Sequence, residues 1–209
     1  MIKWLVFDLG DVVLKRTEAI PDLARLLDGP PERVLTAYWA HRREYDGNSD
    51  AAAFWAAVAK DAGADPPDVQ LTAELVRLDD AGWSVADEDT LELIADAVRA
   101  GLQLAVLSNA PASMGRLITA MPWAAAFDPL VFSGDLGMLK PEERTYRHLL
   151  DRLRADPDQV AFLDDRLDNV EGAAALGIHA LHFTGAAQAR DQLARLGLPI
   201  RRAEEISGG

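Results

Sequence analysis

The chain contains no cysteine among its 209 residues. That absence excludes disulfides, thiolate nucleophiles and zinc–thiolate sites. Basic residues are also in deficit, because 21 Lys and Arg stand against 34 Asp and Glu, which gives a net charge of -13. A chain with this charge repels the phosphates of nucleic acids, and no basic stripe offsets the repulsion. We therefore expect no nucleic-acid partner.

Long apolar runs are missing as well. The windows richest in apolar residues are short and interrupted by charge, so the sequence predicts no membrane-spanning helix and no membrane partner. The first residues, Met1–Lys3, lead directly into a strand-like stretch, without the apolar region and small-residue cleavage site of a signal peptide. These features predict a cytoplasmic protein, either a monomer or a homodimer.

The pattern of apolar residues divides the chain into two kinds of segment. Predicted strands (4–7, 102–107, 130–132, 160–163 and 178–183) alternate with helices, which indicates an α/β fold with a doubly wound, Rossmann-like parallel sheet. Residues 17–84 show helical spacing throughout and predict an all-helical insert of about four helices after the first strand. The expected division is a catalytic core of 1–16 and 85–209 and a helical cap domain of 17–84. The tail, Ser207–Gly209, is predicted to fray.

Polar residues stand where the predicted strands end. Asp8 follows the first strand, Ser108–Asn109 ends the second, and Asp164–Asp165 ends a third, while Lys140 precedes a helix. In open α/β sheets, ligands bind beyond the carboxyl ends of the strands. Each residue alone also fits a turn or a helix cap. Their joint order on successive strand ends predicts that they meet at one site.

These residue types favour phosphate chemistry. Asp8 and Asp165 side by side would repel each other, and a divalent cation would relieve the repulsion. Oxygen ligands suit Mg²⁺. Lys140 adds positive charge, and Ser108 with the backbone N–H groups after it completes a cradle for a tetrahedral anion. A carboxylate can attack phosphorus to form an aspartyl-phosphate that water then hydrolyses.

The motifs that carry these residues resemble those of the haloacid dehalogenase superfamily, from Lys3 to about Phe183. Phe7–Val13 (FDLGDVV) is similar to the first motif, Val106–Ala110 (VLSNA) to the second, Leu139–Pro141 to the third and Phe162–Asn169 (FLDDRLDN) to the fourth. The helical insert matches the first cap class. The combination is most similar to bacterial sugar-phosphate phosphatases of the glucose-1-phosphatase type.

The resemblance implies a role for each matched residue. Asp8 would be the nucleophile, with Ser108 and Lys140 as its catalytic partners and Asn109 as a further substrate contact. Mg²⁺ would be bound by Asp8, Asp165 and the carbonyl of Gly10, with Asp164 and Asn169 supporting these ligands. The substrate would be a small phosphorylated metabolite such as a sugar 1-phosphate.

Gly10 departs from the family pattern, in which this position carries an aspartate that protonates the leaving oxygen. Loss of such an acid typically costs about 10²–10⁴ in rate. Three interpretations remain: Asp11 substitutes for it, water delivers the proton, or the substrate has a good leaving group. Asp11 also fits an ordinary turn residue. The last interpretation predicts that Gly10 biases the enzyme toward activated leaving groups.

The predicted cap contains a second candidate segment, Ala40–Asp50. A glycine turn here, at Asp46–Gly47, would face the cleft, and Arg42 or Arg43 would bind a substrate anion or hydroxyl. The same arginines also fit solvated helix ends. The tryptophans of this region are expected to pack rather than to stack on a sugar, and no histidine has ligand spacing. These tryptophans are Trp39, Trp55 and Trp83.

Two alternatives use the same residues differently. The first is hydrolytic dehalogenation of a 2-halo acid by Asp8, which needs no metal but an apolar halide cradle. In that branch the residue two positions after the nucleophile is aromatic, whereas here it is Gly10. The second is a regulator that binds a phosphorylated metabolite without hydrolysing it.

Overall fold

The computed structural model describes residues 1–201, so the predicted frayed tail, Ser207–Gly209, lies outside the described residues. Five parallel strands form one sheet in the order β3-β2-β1-β4-β5. The predicted α/β fold with a parallel, Rossmann-like sheet is confirmed. The strands are β1 (Trp4–Phe7), β2 (Gln103–Ser108), β3 (Leu130–Phe132), β4 (Val160–Asp164) and β5 (His179–His182).

The central strand β1 is apolar on both faces because helices cover both sides of the sheet. Leu5, Val6 and Phe7 are fully buried, as expected for an inner parallel strand. Phe7 pairs with Val106 of β2 and with Leu163 of β4. The next residues along β1 and β4, Asp8 and Asp164, are therefore neighbours at the carboxyl edge.

Six helices accompany the strands after the first. They are α5 (Glu88–Arg99), α6 (Ala112–Thr119), α7 (Ser133–Leu136), α8 (Glu143–Leu153), α9 (Leu167–Ala174) and α10 (Ala186–Arg195). Alternate strand residues face opposite sides, so Leu5 and Phe7 join one apolar cluster and Val6 joins another. The short helix α7 was not predicted, because a single turn is too short to show helical periodicity.

Four helices lie between β1 and α5, as the apolar spacing predicts: α1 (Ile20–Leu26), α2 (Pro31–Asn48), α3 (Ala51–Ala62) and α4 (Val69–Gly82). The side chains of Asp50 and Asp68 cap α3 and α4 by accepting from backbone N–H groups at 2.9 and 2.8 Å. These helices share their own apolar cluster, which includes Trp55. The division into core and cap domains remains a prediction that this separate cluster supports.

The end of α2 contacts the core closely at α6 and α7. The Ser133 hydroxyl donates to the Asp46 carbonyl at 2.6 Å, and the N–H of Ala112 donates to the Ser49 hydroxyl at 2.9 Å. A Cβ at Gly134 would lie 2.5 Å from the Ala112 nitrogen, so this approach requires glycine. Among the described helices, none combines the length and apolar composition needed to span a bilayer.

Candidate active site

Asp8 leaves β1 at the carboxyl edge of the sheet. Its backbone N–H donates to the Leu163 carbonyl at 2.9 Å, which continues the pairing with β4. Its Oδ1 accepts from the N–H of Leu9 at 2.7 Å and lies 2.9 Å from Lys140 Nζ. The side chain is 10% exposed, so these two contacts fix the orientation of a carboxylate that still reaches the cleft.

Lys140 is buried behind Asp8, with its side chain 1% exposed. Besides Asp8, its ammonium contacts Asp164 Oδ2 at 2.6 Å and the Leu107 carbonyl at 2.8 Å. These three acceptors match the three donors of an ammonium group. The backbone of Lys140 is held too, because Asn109 accepts from its N–H at 2.9 Å and donates to its carbonyl at 3.0 Å.

The two adjacent aspartates at the end of β4 have different environments. Asp164 is fully buried and accepts from Asn169 Nδ2 at 3.0 and 3.1 Å and from the Arg166 N–H at 2.9 Å. Asp165 is only partly buried and lines the cleft. One carboxylate oxygen from each of Asp8, Asp164 and Asp165 lies within 4.8 Å of the others. We call Asp8, Lys140, Asp164 and Asp165 the sheet-edge cluster.

The sheet-edge cluster carries excess negative charge. Burial raises the pKa of Asp8 to about 7, with Lys140 opposing and Asp164 adding to the shift. Burial and the charge of Asp164 also raise the pKa of Asp165. Burial alone would lower the pKa of Lys140, but Asp8 and Asp164 outweigh it and raise that pKa overall. Three carboxylates therefore face one ammonium.

The residues present fit a magnesium ion. Their donors are carboxylate oxygens, with Gly10 also lining the cleft beside them, and hard oxygen donors suit this cation. Within residues 1–201, Asn169 Oδ1 is buried without a hydrogen-bond partner. A buried acceptor of this kind beside the carboxylates fits a donor such as a metal-bound water.

One cleft of about 230 Å³ collects the predicted site residues. Asp164 is the exception, because it lies behind the others and contacts Lys140 and Asn169 instead. From the sequence prediction, the cleft is lined by Asp8, Gly10, Arg43, Asp46, Ser108, Asn109, Lys140, Asp165 and Asn169. The predicted turn at Asp46–Gly47 is wrong, because α2 continues through Asn48. Its last turns contribute Arg43 and Asp46 to the same cleft as the strand ends.

An indole ring lies beside Gly10. A Cβ built at this position would lie 3.4 Å from Cζ3 of Trp83, so the ring would touch any side chain here and would crowd a larger one such as aspartate. Trp83 is held there by a 3.0 Å hydrogen bond from its Nε1 to the Tyr38 hydroxyl. The position of the usual acid is thus bordered by an aromatic edge.

Asp11 is engaged elsewhere. Its φ of 55° lies in the left-handed region, as in a turn residue. Its Oδ2 accepts from Arg16 Nε at 2.9 Å and also contacts the Nη2 of Arg16. This ion pair favours the turn interpretation of Asp11 over its role as a substitute acid.

Arg42 is buried rather than solvated, with its side chain 7% exposed. It contacts Asp46 Oδ1 at 2.6 Å and Asp79 Oδ2 at 3.0 Å, and its Nη1 also contacts the Tyr38 hydroxyl. We call Tyr38, Arg42, Asp46 and Asp79 the helix network. Burial raises the pKa of Asp46 to about 6, although Arg42 opposes the shift. Arg43, in contrast, is exposed and donates to the Lys140 carbonyl at 3.4 Å.

The sequence interpretation missed several cleft residues. Trp55 is fully buried, as expected. Trp39 and Trp83 also line the cleft, as do Arg16 and Met114. The large number of tryptophans in and around the helical insert was the available signal, but their direction depends on tertiary packing.

The comparisons with known proteins agree with this geometry. The family model described as a haloacid dehalogenase-like hydrolase matches residues 2–177. The chain is 31% identical to phosphatase MT3486 of Mycobacterium tuberculosis over 58% of its length and 57% of that protein. It is 27% identical to the drimenol cyclase drtB of Aspergillus calidoustus over 98% of its length. It spans only 38% of that cyclase.

Two solved structures share the fold. The HAD family enzyme bt-2542 of Bacteroides thetaiotaomicron, in complex with magnesium and inorganic phosphate, has a TM-score of 0.67 at 19% identity and covers 87% of this chain and 94% of its own. The L-2-haloacid dehalogenase of Xanthobacter autotrophicus has a TM-score of 0.69 at 21% identity. The match covers 96% of this chain and 85% of the dehalogenase. Both likenesses concern the fold.

Proposed function

Because the chain belongs to the haloacid dehalogenase-like hydrolase family, we propose that it is a magnesium-dependent phosphomonoester hydrolase with Asp8 as its nucleophile. The substrate would be a small phosphorylated metabolite, since the cleft of about 230 Å³ is smaller than most ligand pockets. The observation that carries the proposal is Lys140, which is buried between Asp8 and Asp164 while Asp165 lines the cleft beside them.

The proposed roles follow from these contacts. Asp8, Asp165 and the Gly10 carbonyl would hold Mg²⁺, which when bound neutralises the carboxylates and the phosphate oxygens. Asp164 and Asn169 position the cluster, because their contacts are with Lys140 and with each other. Ser108, Asn109 and Arg43 line the cleft where phosphate oxygens would bind.

The reaction would proceed in two steps. An Asp8 carboxylate oxygen forms a bond to phosphorus as the ester P–O bond breaks, and Lys140 screens the negative charge of the carboxylate. The leaving oxygen takes its proton from water, since Gly10 offers no acid and Asp11 pairs with Arg16. Water then attacks phosphorus, which releases inorganic phosphate and restores the Asp8 carboxylate. The helices would exclude bulk solvent during both steps.

The direct test is hydrolysis of p-nitrophenyl phosphate with and without Mg²⁺. We expect Mg²⁺-dependent turnover that Asp8→Asn lowers by about 10³-fold or more, because the amide is a poor nucleophile. The Asp22→Asn variant is the matched control, since Asp22 is an exposed residue of α1 outside the cleft. Retention of more than a few per cent of activity by Asp8→Asn would refute the covalent scheme, and a wild type that binds phosphate without turnover would favour a regulator.

One observation favours a second candidate, hydrolytic dehalogenation. The aromatic edge of Trp83 beside Gly10 provides apolar surface near Asp8, as a halide cradle requires. The partly buried Asp165 favours the phosphatase, because it is a proposed metal ligand and dehalogenation needs no metal. Chloride release from 2-chloropropionate without added Mg²⁺, together with no turnover of p-nitrophenyl phosphate, would establish the dehalogenase instead. The sugar-phosphate subtype, the cytoplasmic location and the oligomeric state remain predictions.

A further inference from the structure

We propose that the alcohol part of the substrate is apolar, a hydrocarbon chain or an aromatic ring rather than a sugar, and that Trp39 and Trp83 recognise it. This inference rests on the proposed phosphatase function and specifies the substrate class of the same cleft. Two observations support it. Trp39 and Trp83 form an aromatic wall on one side of the cleft, and most polar groups around this wall already have hydrogen-bond partners within the protein.

The aromatic wall lies on the leaving-group side of the cleft. Position 10 is where the usual acid would reach the leaving oxygen, and the Trp83 ring lies 3.4 Å from a Cβ built there. Trp39 continues the wall, with its ring centroid 6.1 Å from that of Trp83 in an edge-to-face arrangement. Leu14 and Met114 line the same cleft. An alcohol that leaves phosphorus on this side of the cleft, as Asp8 attacks, would therefore meet apolar surface.

Trp39 has apolar surface to offer. It is 41% exposed, although Trp83 and the guanidinium of Arg16, 5.7 Å from its ring centroid, pack against it. Covering such a ring with an apolar ligand removes surface from water at both partners, at roughly 25 cal/mol per Å². A sugar would cover the ring but would also need partners for its hydroxyls.

Most polar groups that could bind the hydroxyls of a sugar already have hydrogen-bond partners within the protein. The indole N–H of Trp83 donates to Tyr38. The guanidinium of Arg42 contacts Asp46, Asp79 and Tyr38. Both ends of the Asn109 amide bind the backbone of Lys140, and Asp11 binds Arg16.

A polyhydroxy ligand would have to compete with these bonds for partners, and each buried group left unpaired would cost about 1–3 kcal/mol. An apolar ligand leaves all of them intact. Arg43, exposed and held by one long hydrogen bond, remains for the phosphate anion.

The test is a series of linear alkyl phosphates, ethyl, butyl and hexyl, whose alcohols have similar acidity. We expect kcat/KM with Mg²⁺ to rise by about threefold per methylene until the wall is covered. It should exceed kcat/KM for glucose 1-phosphate and glucose 6-phosphate. Trp39→Ala should lower the hexyl-to-ethyl ratio of kcat/KM by about tenfold, and Trp39→Phe should restore most of it.

Leu35→Ala is the matched control, because Leu35 lies one helical turn before Trp39 on α2, is similarly exposed and does not line the cleft. It should leave the ratio unchanged. A second measurement avoids catalysis: fluorescence titration of metal-free protein with 1-hexanol or 2-naphthol should show saturable binding that Trp39→Ala weakens.

The outcomes separate this inference from the proposed function. Turnover of alkyl phosphates without dependence on chain length, or a preference for the sugar phosphates, would overturn the inference and leave the phosphatase standing. Saturable, Trp39-dependent binding of the alcohols without hydrolysis of any phosphate would support the apolar wall and overturn the phosphatase. If no phosphate is hydrolysed and neither alcohol shows saturable binding, the inference and the proposed function are both overturned.

Discussion

The sheet-edge cluster and the helix network are built from the same kinds of group, buried carboxylates around one cation, yet they differ in how completely the charges are matched. In the helix network, Arg42 divides its guanidinium between Asp46 and Asp79, and the Tyr38 hydroxyl donates to Asp79 at 2.7 Å. In the sheet-edge cluster, Lys140 reaches Asp8 and Asp164. Asp165 has no ion pair within residues 1–201 and lines the cleft.

We infer that the difference separates a structural network from the proposed catalytic one. Arg presents a planar set of donors that satisfies several acceptors at once, whereas Lys presents a compact point charge. Each carboxylate of the helix network therefore has a cationic partner. The sheet-edge cluster retains an unmatched acid and a carboxyl whose pKa is raised to about 7, so it favours binding of a divalent cation.

The largest effect is expected from a substitution that breaks the helix network. Arg42→Met removes the one cation shared by two buried carboxylates, and we expect the free energy of unfolding to fall by about 3–5 kcal/mol. Urea denaturation measures this. Arg43→Met, at the exposed neighbouring position, should change the same quantity by no more than about 0.5 kcal/mol. Equal small losses in the two variants would show that the network is not structural.

A second experiment addresses Trp83, which connects the two regions by bonding to Tyr38 and bordering Gly10. For phosphates of small alcohols and phenols, kcat/KM of the wild type should fall steeply as the leaving-group pKa rises, because no enzymic acid assists. The double variant Gly10→Asp, Trp83→Leu makes room for an acid and should raise kcat/KM for poor leaving groups by about 10²-fold.

Gly10→Asp alone is the control for that variant, because the indole still occupies the space that the carboxylate needs. It should show little gain and should lose about 1–3 kcal/mol of stability by overpacking. A flat dependence of wild-type kcat/KM on leaving-group pKa would contradict the whole interpretation of Gly10.

Magnesium should stabilise the protein through the sheet-edge cluster and not through the helix network. At about 100 times its Kd, Mg²⁺ should raise the free energy of unfolding of the wild type by about 2.7 kcal/mol, since it binds the folded state. Asp165→Asn should lose most of this gain, while Arg42→Met should keep it despite its lower stability. An equal gain in wild type and Asp165→Asn, measured by thermal denaturation, would place the cation elsewhere.

The smallest expected effect is the pH response of the helix network. Burial raises the pKa of Asp46 from 3.8 in the unfolded chain to about 6. The folded state then holds a proton that the unfolded state has lost, so the contribution of Asp46 to stability is full below pH 3.8. It declines as the pH rises from 3.8 to about 6, because in this range the unfolded chain loses the proton and the folded chain keeps it.

The difference in unfolding free energy between wild type and Asp46→Asn should follow this decline, with or without Mg²⁺. A difference that is constant across that pH range would show that Asp46 does not titrate there. A difference that depends on Mg²⁺ would show that the two regions are coupled.

Local patterns predicted the strand-end residues because a parallel sheet itself brings them together. Apolar runs located β1 and β4, and their register places Asp8 beside Asp164. The same reasoning located the helices between β1 and α5, since apolar spacing and the caps at Asp50 and Asp68 are local signals.

Contacts set by tertiary packing were not predictable. Trp83 meets Gly10 across 73 positions only because α4 ends against the turn after β1. Arg42 and Arg43 are adjacent in sequence, and nothing local distinguishes the buried one from the exposed one. Helical geometry points them in different directions, and only the positions of Asp46 and Asp79 decide which becomes part of the network.

The side chain of Asn109 binds Lys140 as another strand would, accepting from its N–H at 2.9 Å and donating to its carbonyl at 3.0 Å. One carboxamide thus replaces a rung of backbone pairing at a place where the sheet has ended. The position of the buried ammonium is therefore tied to the end of β2 as well as to the loop that carries it. A change in the length of that loop would have to preserve this pairing to keep the charge beside Asp8.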